Sequence, residues 1–123
     1  RAGMLFWRMH RCARILVSLN FHLGRMSPPT MIDFLVTRVG HEKSAATSEV
    51  RRYINGSYSP LYQAAYMIGG LQLRDLHRDT VGAGKMSEQQ FHDAVLAQGP
   101  IPISLVRAAL LEEQLTRDWK PRL

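Results

Sequence analysis

At 123 residues, 46% apolar and 21% charged, the chain has the composition of one globular domain of modest core size rather than of a disordered tail. One cysteine, Cys12, excludes an intrachain disulfide framework and any multi-cysteine metal site. The net charge of +6 comes from scattered basic residues without a recognition motif, so no nucleic-acid partner is expected. No apolar run approaches the ~18 residues that a membrane-spanning helix needs.

Residues 2–23 place Leu5, Met9, Ile15, Leu16, Leu19 and Leu23 at helix-like spacings. Arg8, Arg11 and Arg14 fall within about a third of the helix circumference, which predicts one shared polar face. Gly24 offers an exit in a left-handed conformation. Ser27 then reads as an N-cap, with Pro28 and Pro29 in the first turn and Met31, Ile32, Leu35 and Val36 as an apolar stripe that stops at Gly40. Ser44, Thr47 or Ser48 would cap a short helix running to Ile54, and Asn55-Gly56 signals a turn.

Pro60 opens the longest helical pattern, from Leu61 to about Thr80. Gly69-Gly70 inside it costs about 1 kcal/mol per glycine relative to alanine, so a second backbone packed close against the pair is expected. Gly82-Ala83-Gly84 is a loop. Ser87 with Gln90 forms a capping-box pattern ahead of Phe91, Ala94 and Val95, and Gly99-Pro100 ends that helix. Pro102 begins the last helix, with Leu105, Val106, Ala109 and Leu110 on its apolar side, and 117–123 is read as a frayed tail. The fold class is all-α with about six helices. The chain is read as a single helical segment over 1–123.

Chemistry-bearing motifs are sparse. The five histidines, at 10, 22, 41, 77 and 92, include no pair at the spacing that puts two imidazoles on one helical face for zinc. His41-Glu42 begins like His-Glu-x-x-His, but Ala45 stands where the second ligand would be. No metal ligand and no cofactor are therefore assigned to this chain. A Gly-x-Ser-x-Gly elbow and a Walker loop are absent too. What stands out is a tyrosine cluster, Tyr53, Tyr58, Tyr62 and Tyr66, with Tyr62 and Tyr66 four apart on one predicted helix. Such hydroxyls serve either as packing residues with a polar edge or as donors to a developing oxyanion.

The runs Glu49-Val-Arg-Arg-Tyr-Ile54, Ser59-Pro-Leu-Tyr-Gln-Ala-Ala-Tyr-Met-Ile-Gly69 and Phe91-His-Asp-Ala-Val-Leu96 resemble the C-terminal region of the bacterial domain-of-unknown-function family 885. The matching positions are Glu49, Arg52, Tyr53, Pro60, Tyr66, Gly69, Phe91, His92, Asp93, Gly99 and Pro102, with Arg14-Ile-Leu-Val17 and His22 upstream. The chain departs from the family at Ser18-Leu-Asn-Phe21, where Asp-Thr-Gly-Leu is usual, and at Tyr62, where many members carry glutamine.

The resemblance implies a larger helical bundle similar to zinc metallopeptidases. Its zinc would belong to the parent protein, its substrate would be a peptide, and its partner would be the remainder of the parent chain. On that basis Tyr62, Tyr66 and His22 are the expected transition-state or substrate contacts, and Arg52 and Tyr53 the expected substrate-binding residues. Arg1 in place of an initiator methionine fits an excised or processed piece, and a periplasmic or secreted parent is the favoured compartment. The alternative is a free-standing basic helical module that binds an acidic partner. Glu49 and Arg52, at i and i+3, also have a purely structural reading as a pair.

Overall fold

A computed structural model of the chain describes residues 1–121. Among them are six α-helices and no strand: α1 Ala2–His22, α2 Pro28–Phe34, α3 Lys43–Ile54, α4 Tyr62–Thr80, α5 Glu88–Ala97 and α6 Ile103–Leu110. A π-helical turn, Leu35–Val39, extends α2. The chain divides into two units, Arg1–Met67 and Ile68–Leu123.

In the first unit the local signals act where the residue types place them. Gly24 takes φ +70, and the amides of Gly24 and Arg25 close back onto the carbonyls of Phe21 and Asn20 at 2.9 and 2.7 Å. The Ser27 side chain accepts from the Thr30 amide, and the two prolines occupy the first turn, where their missing amides leave no bond unmade. Gly40 ends the π-helical turn at φ +82. The third helix begins earlier than its serines and threonine suggest: Glu42 is the N-cap, and Thr47 lies inside the helix with Oγ1 donating to the Lys43 carbonyl at 2.7 Å. Asn55 Oδ1 accepts from the Ser57 amide and turns the chain after α3.

The core of this unit is Ala13, Val17, Met31, Leu35, Val39, Ala46, Val50 and Tyr53. Full burial of side chains such as Met31 and Leu35 stabilises the fold by roughly 1.5–3 kcal/mol each. The packing corrects the expected face of α1. His10, Ala13, Arg14, Val17 and Ser18 are its buried residues, whereas Leu5, Met9, Leu16 and Leu23 are exposed. Arg8 and Arg11 are exposed, and Arg14 does not share their solvated face. The helix turns Ala13 and Val17 into the core, and Arg14 and Ser18, flanking them on the helical wheel, are drawn in as well.

In the second unit Leu76, Phe91 and Val106 form the buried centre, flanked by Leu73, Val81, Met86, Val95, Leu110 and Leu111. The capping box is complete, with Ser87 accepting from the Gln90 amide and the Gln90 side chain accepting from the Ser87 amide at 2.8 Å. Gly84 and Gly99 take φ +69 and +67. Gly69 and Gly70 do not meet the expected neighbouring backbone: a Cβ built on either has nothing within 4 Å among the described residues. Gly82 is the close-approach position instead, because its Cβ would stand 2.6 Å from the Arg78 carbonyl oxygen. Of the tail read as frayed, Trp119 sets its indole N–H on Glu113 at 3.4 Å, and 122–123 lie outside the described residues.

Candidate functional site

Two helix faces of the first unit converge on Glu49, and a loop histidine joins them through His10. On α3, Glu49, Arg52 and Tyr53 stand at i, i+3 and i+4 and therefore share a face. The Tyr53 hydroxyl donates to Glu49 Oε2 at 2.5 Å, and Arg52 Nη2 donates to both carboxylate oxygens at 2.8 and 2.9 Å. On α1, His10 and Arg14 share the i, i+4 face that the core turns inward. His10 Nε2 lies 3.7 Å from Glu49 Oε2, and Arg14 Nη2 lies 3.9 Å from the same oxygen. Just past Gly40, His41 pairs its Nε2 with His10 Nδ1 at 2.8 Å.

The fourth contribution comes from the start of α4. Tyr58 stacks on Tyr62 with ring centroids 4.1 Å apart, and Tyr62 and Tyr66 join hydroxyl to hydroxyl at 2.9 Å. Tyr66 also lies against the Arg14 guanidinium, 4.5 Å from its carbon to the ring centroid, with Tyr53 at 5.4 Å. Both distances fall within the range of cation–π attraction. Two of the four cluster tyrosines thus sandwich a cation that the sequence did not place beside them.

The electrostatics follow from burial opposed by pairing. Burial pushes the Glu49 carboxyl up, but the Tyr53 hydrogen bond and the Arg52 charge outweigh it and hold the group below its ordinary value. Tyr53 is raised well above the ordinary tyrosine range, first by burial and then by its bond to the carboxylate, so it stays a neutral donor. Arg52 is raised: the Glu49 charge and hydrogen bond more than offset its desolvation. His10 is lowered, chiefly by burial, with Arg14 and His41 adding to the effect and Glu49 opposing it. Tyr62 is raised by its hydrogen bond to Tyr66.

Of the residues expected from the sequence, Arg52, Tyr53, Tyr62 and Tyr66 therefore belong to this region. His22 does not join them: it is exposed at the last turn of α1, and its Nδ1 pairs with the Ser18 carbonyl at 2.8 Å. Arg52 is engaged with Glu49, the structural pairing that the i, i+3 spacing also allows. His10, Arg14, His41 and the hub role of Glu49 were not expected as site features. The i, i+4 relation of His10 to Arg14 is present in the sequence, but nothing local marks that face as buried.

The zinc that the resemblance implies finds no seat among the described residues. Among the described residues no group of three or more His, Cys, Asp or Glu side chains is arranged to hold a metal ion. His10 and His41 turn their nitrogens toward each other, at hydrogen-bond distance. The second unit offers a cleft beside Asp79 and Arg107, where Arg107 Nη2 donates to Asp79 at 2.7 Å and Nε lies 3.3 Å from Glu113 without a hydrogen bond. No described helix is long and apolar enough to cross a membrane.

An all-helical protein with a charged, tyrosine-rich cluster at a carboxylate hub is the class that fold and site define. The chain belongs to the family described as bacterial protein of unknown function (DUF885), whose model matches residues 1–110. No curated protein and no solved structure matches it.

Proposed function

We propose that the first unit supplies one wall of a peptide-binding cleft in a peptidase-like protein. The observation that carries this reading is the Tyr62–Tyr66 pair set beside Arg14. In a hydroxyl–hydroxyl bond only one proton is used, so the pair retains one O–H free to donate outward. Tyr66 is 47% exposed, and the pair is held in place by Tyr58 stacked on Tyr62. A preorganised phenol donor of this kind stabilises a carbonyl oxygen as it gains charge. Glu49 serves as the anchor that fixes Tyr53 and Arg52. The residues described here carry out recognition and charge stabilisation, and no nucleophile is assigned among them.

The test is a titration of the chain with a short unblocked alanine peptide, followed by NMR. The expected result is a saturable shift of the Tyr62 and Tyr66 signals, weakened severalfold in Tyr66→Phe, without peptide cleavage. Shifts confined to the second unit would reject the reading. Hydrolysis by this chain that is lost on chelation and restored by zinc would reject the assignment of recognition alone.

A further inference from the structure

Leu5, Met9, Cys12, Leu16, Leu19 and Leu23 follow one another along α1 at alternating intervals of four and three residues. At ~100° per residue that spacing holds all six within about 80° of the helix circumference, over about 27 Å of its length. The rest of the chain leaves this stripe uncovered. Leu5, Met9, Leu16 and Leu23 are between 43% and 62% exposed, and Leu19 is half-buried. Cys12 is exposed as well, although Met67 Sδ lies 3.5 Å from its Sγ. The stripe is on the far side of α1 from His10, Arg14 and Val17, so it belongs neither to the core nor to the Glu49 cluster.

The width and the charge of the stripe decide what fits it. A helix that lies in a membrane interface buries a broad apolar face. A stripe confined to a four-three repeat is instead the narrow seam along which two helices interlock. Its basic edge sets the charge of the partner. Arg8 and Arg11 stand exposed on one side of the stripe, and among the described residues the ion pairs of the first unit all meet at Glu49 without them. α1 contains no carboxylate, the first acidic residue of the chain being Asp33. A second copy of α1 brings no opposite charge to that edge, only further arginine and histidine. Acidic side chains flanking the partner's own stripe meet Arg8 and Arg11 with the opposite sign.

We propose that this face of α1 is a docking seam for a partner helix whose apolar four-three stripe is flanked by aspartate or glutamate. The leucines and Met9 supply the interlocking side chains, and Arg8 and Arg11 select the acidic flank. The seam stands apart from the tyrosine wall, so either can fail without the other.

The experiment titrates the full chain with a synthetic peptide of about three heptads that carries leucine along its stripe and glutamate at the flanking positions. Repulsion between its own glutamates keeps that peptide unfolded alone, so a gain of helix in circular dichroism reports docking. The expected result is a saturable gain, about tenfold tighter than with the lysine-flanked form of the same peptide and weakened by salt. Leu16→Glu is expected to abolish docking, and Leu96→Glu, exposed on α5, to leave it unchanged. No gain of helix, or equal binding of the two peptides, overturns the proposal. That comparison uses the unaltered chain, so it holds whether or not a variant folds. Docking that survives Leu16→Glu places the peptide elsewhere and also overturns it. A dimer of the chain that Leu16→Glu dissociates would give the face to a second copy. Binding to phosphatidylglycerol vesicles that Leu16→Glu abolishes, with no docking of the acidic peptide, would give it to a membrane. Either outcome sinks the helix partner.

Discussion

The Tyr53 hydroxyl donates to Glu49 Oε2 at 2.5 Å, one turn apart on the same helix, and this bond ties the hydrophobic core to the polar cluster. Tyr53 is 3% exposed, so the carboxylate receives its donor from the buried side while Arg52 approaches from solvent. Tyr53→Phe keeps the ring and removes only the donor. A hydrogen bond to a charged group contributes about 1.5–3 kcal/mol, and a loss near 2 kcal/mol in urea unfolding is expected. A loss below a few tenths would show that the bond is not holding the carboxylate.

Glu49→Gln should cost more, because it leaves Arg14 without its nearest negative charge. Removing one member of a buried charged group costs roughly 3 kcal/mol or more. Arg52→Met in the same background should recover part of that loss, since Arg52 then no longer faces a neutral amide. Strict additivity of the two changes in a double-mutant cycle would show that the pair is uncoupled.

Acid should weaken the first unit in two steps. His10 lies below the ordinary value of 6.5 and Glu49 below 4.5, so for both groups the unfolded chain binds protons first as the pH falls. The contribution of each is fully present above its ordinary value and is lost as the pH falls toward its depressed folded value. Urea unfolding between pH 8 and 3 should give a flat alkaline side, a decline beginning near pH 6.5 and a further decline beginning near 4.5. His10→Gln should remove the upper decline and leave the lower. An upper decline of unchanged size in that variant would assign it to another group.

How much was readable in advance depends on the range of the interaction. Ser27 with its two prolines, the Gly24 and Gly40 exits, and the Ser87–Gln90 box act within a few residues, and each appears in the fold as its chemistry predicts. The Tyr62–Tyr66 contact is likewise a one-turn relation. Arg14 was not readable, because its neighbours Ala13 and Val17 join a core with Met31, Leu35 and Val50, residues distant in sequence. His41 reaches His10 only through the reversal at Gly40, across 31 residues of sequence. Ser87→Ala tests the local class: it should cost the second unit about 1 kcal/mol, the usual value of a lost N-cap, seen as a lower melting midpoint.

The glycines of the second unit separate conformational cost from steric need. Gly69 and Gly70 sit inside α4 with open space where a Cβ would go. Alanine there removes only the backbone entropy that glycine loses on folding, so each substitution should stabilise by roughly 0.5–1 kcal/mol. Gly82 reverses the sign. Its added Cβ would meet the Arg78 carbonyl oxygen at 2.6 Å and the Arg78 Cα at 3.1 Å, and backbone cannot move aside as a flexible side chain would. The Gly82 amide also donates to the His77 carbonyl at 3.1 Å, so a shift of the turn would stretch that bond. Gly82→Ala should therefore destabilise by about 1–3 kcal/mol, the range for overpacking. Thermal unfolding of the three single variants checks both signs at once. A destabilising Gly70→Ala would restore the close-packed backbone that the sequence led one to expect, and a neutral Gly82→Ala would mean that the turn relaxes without cost.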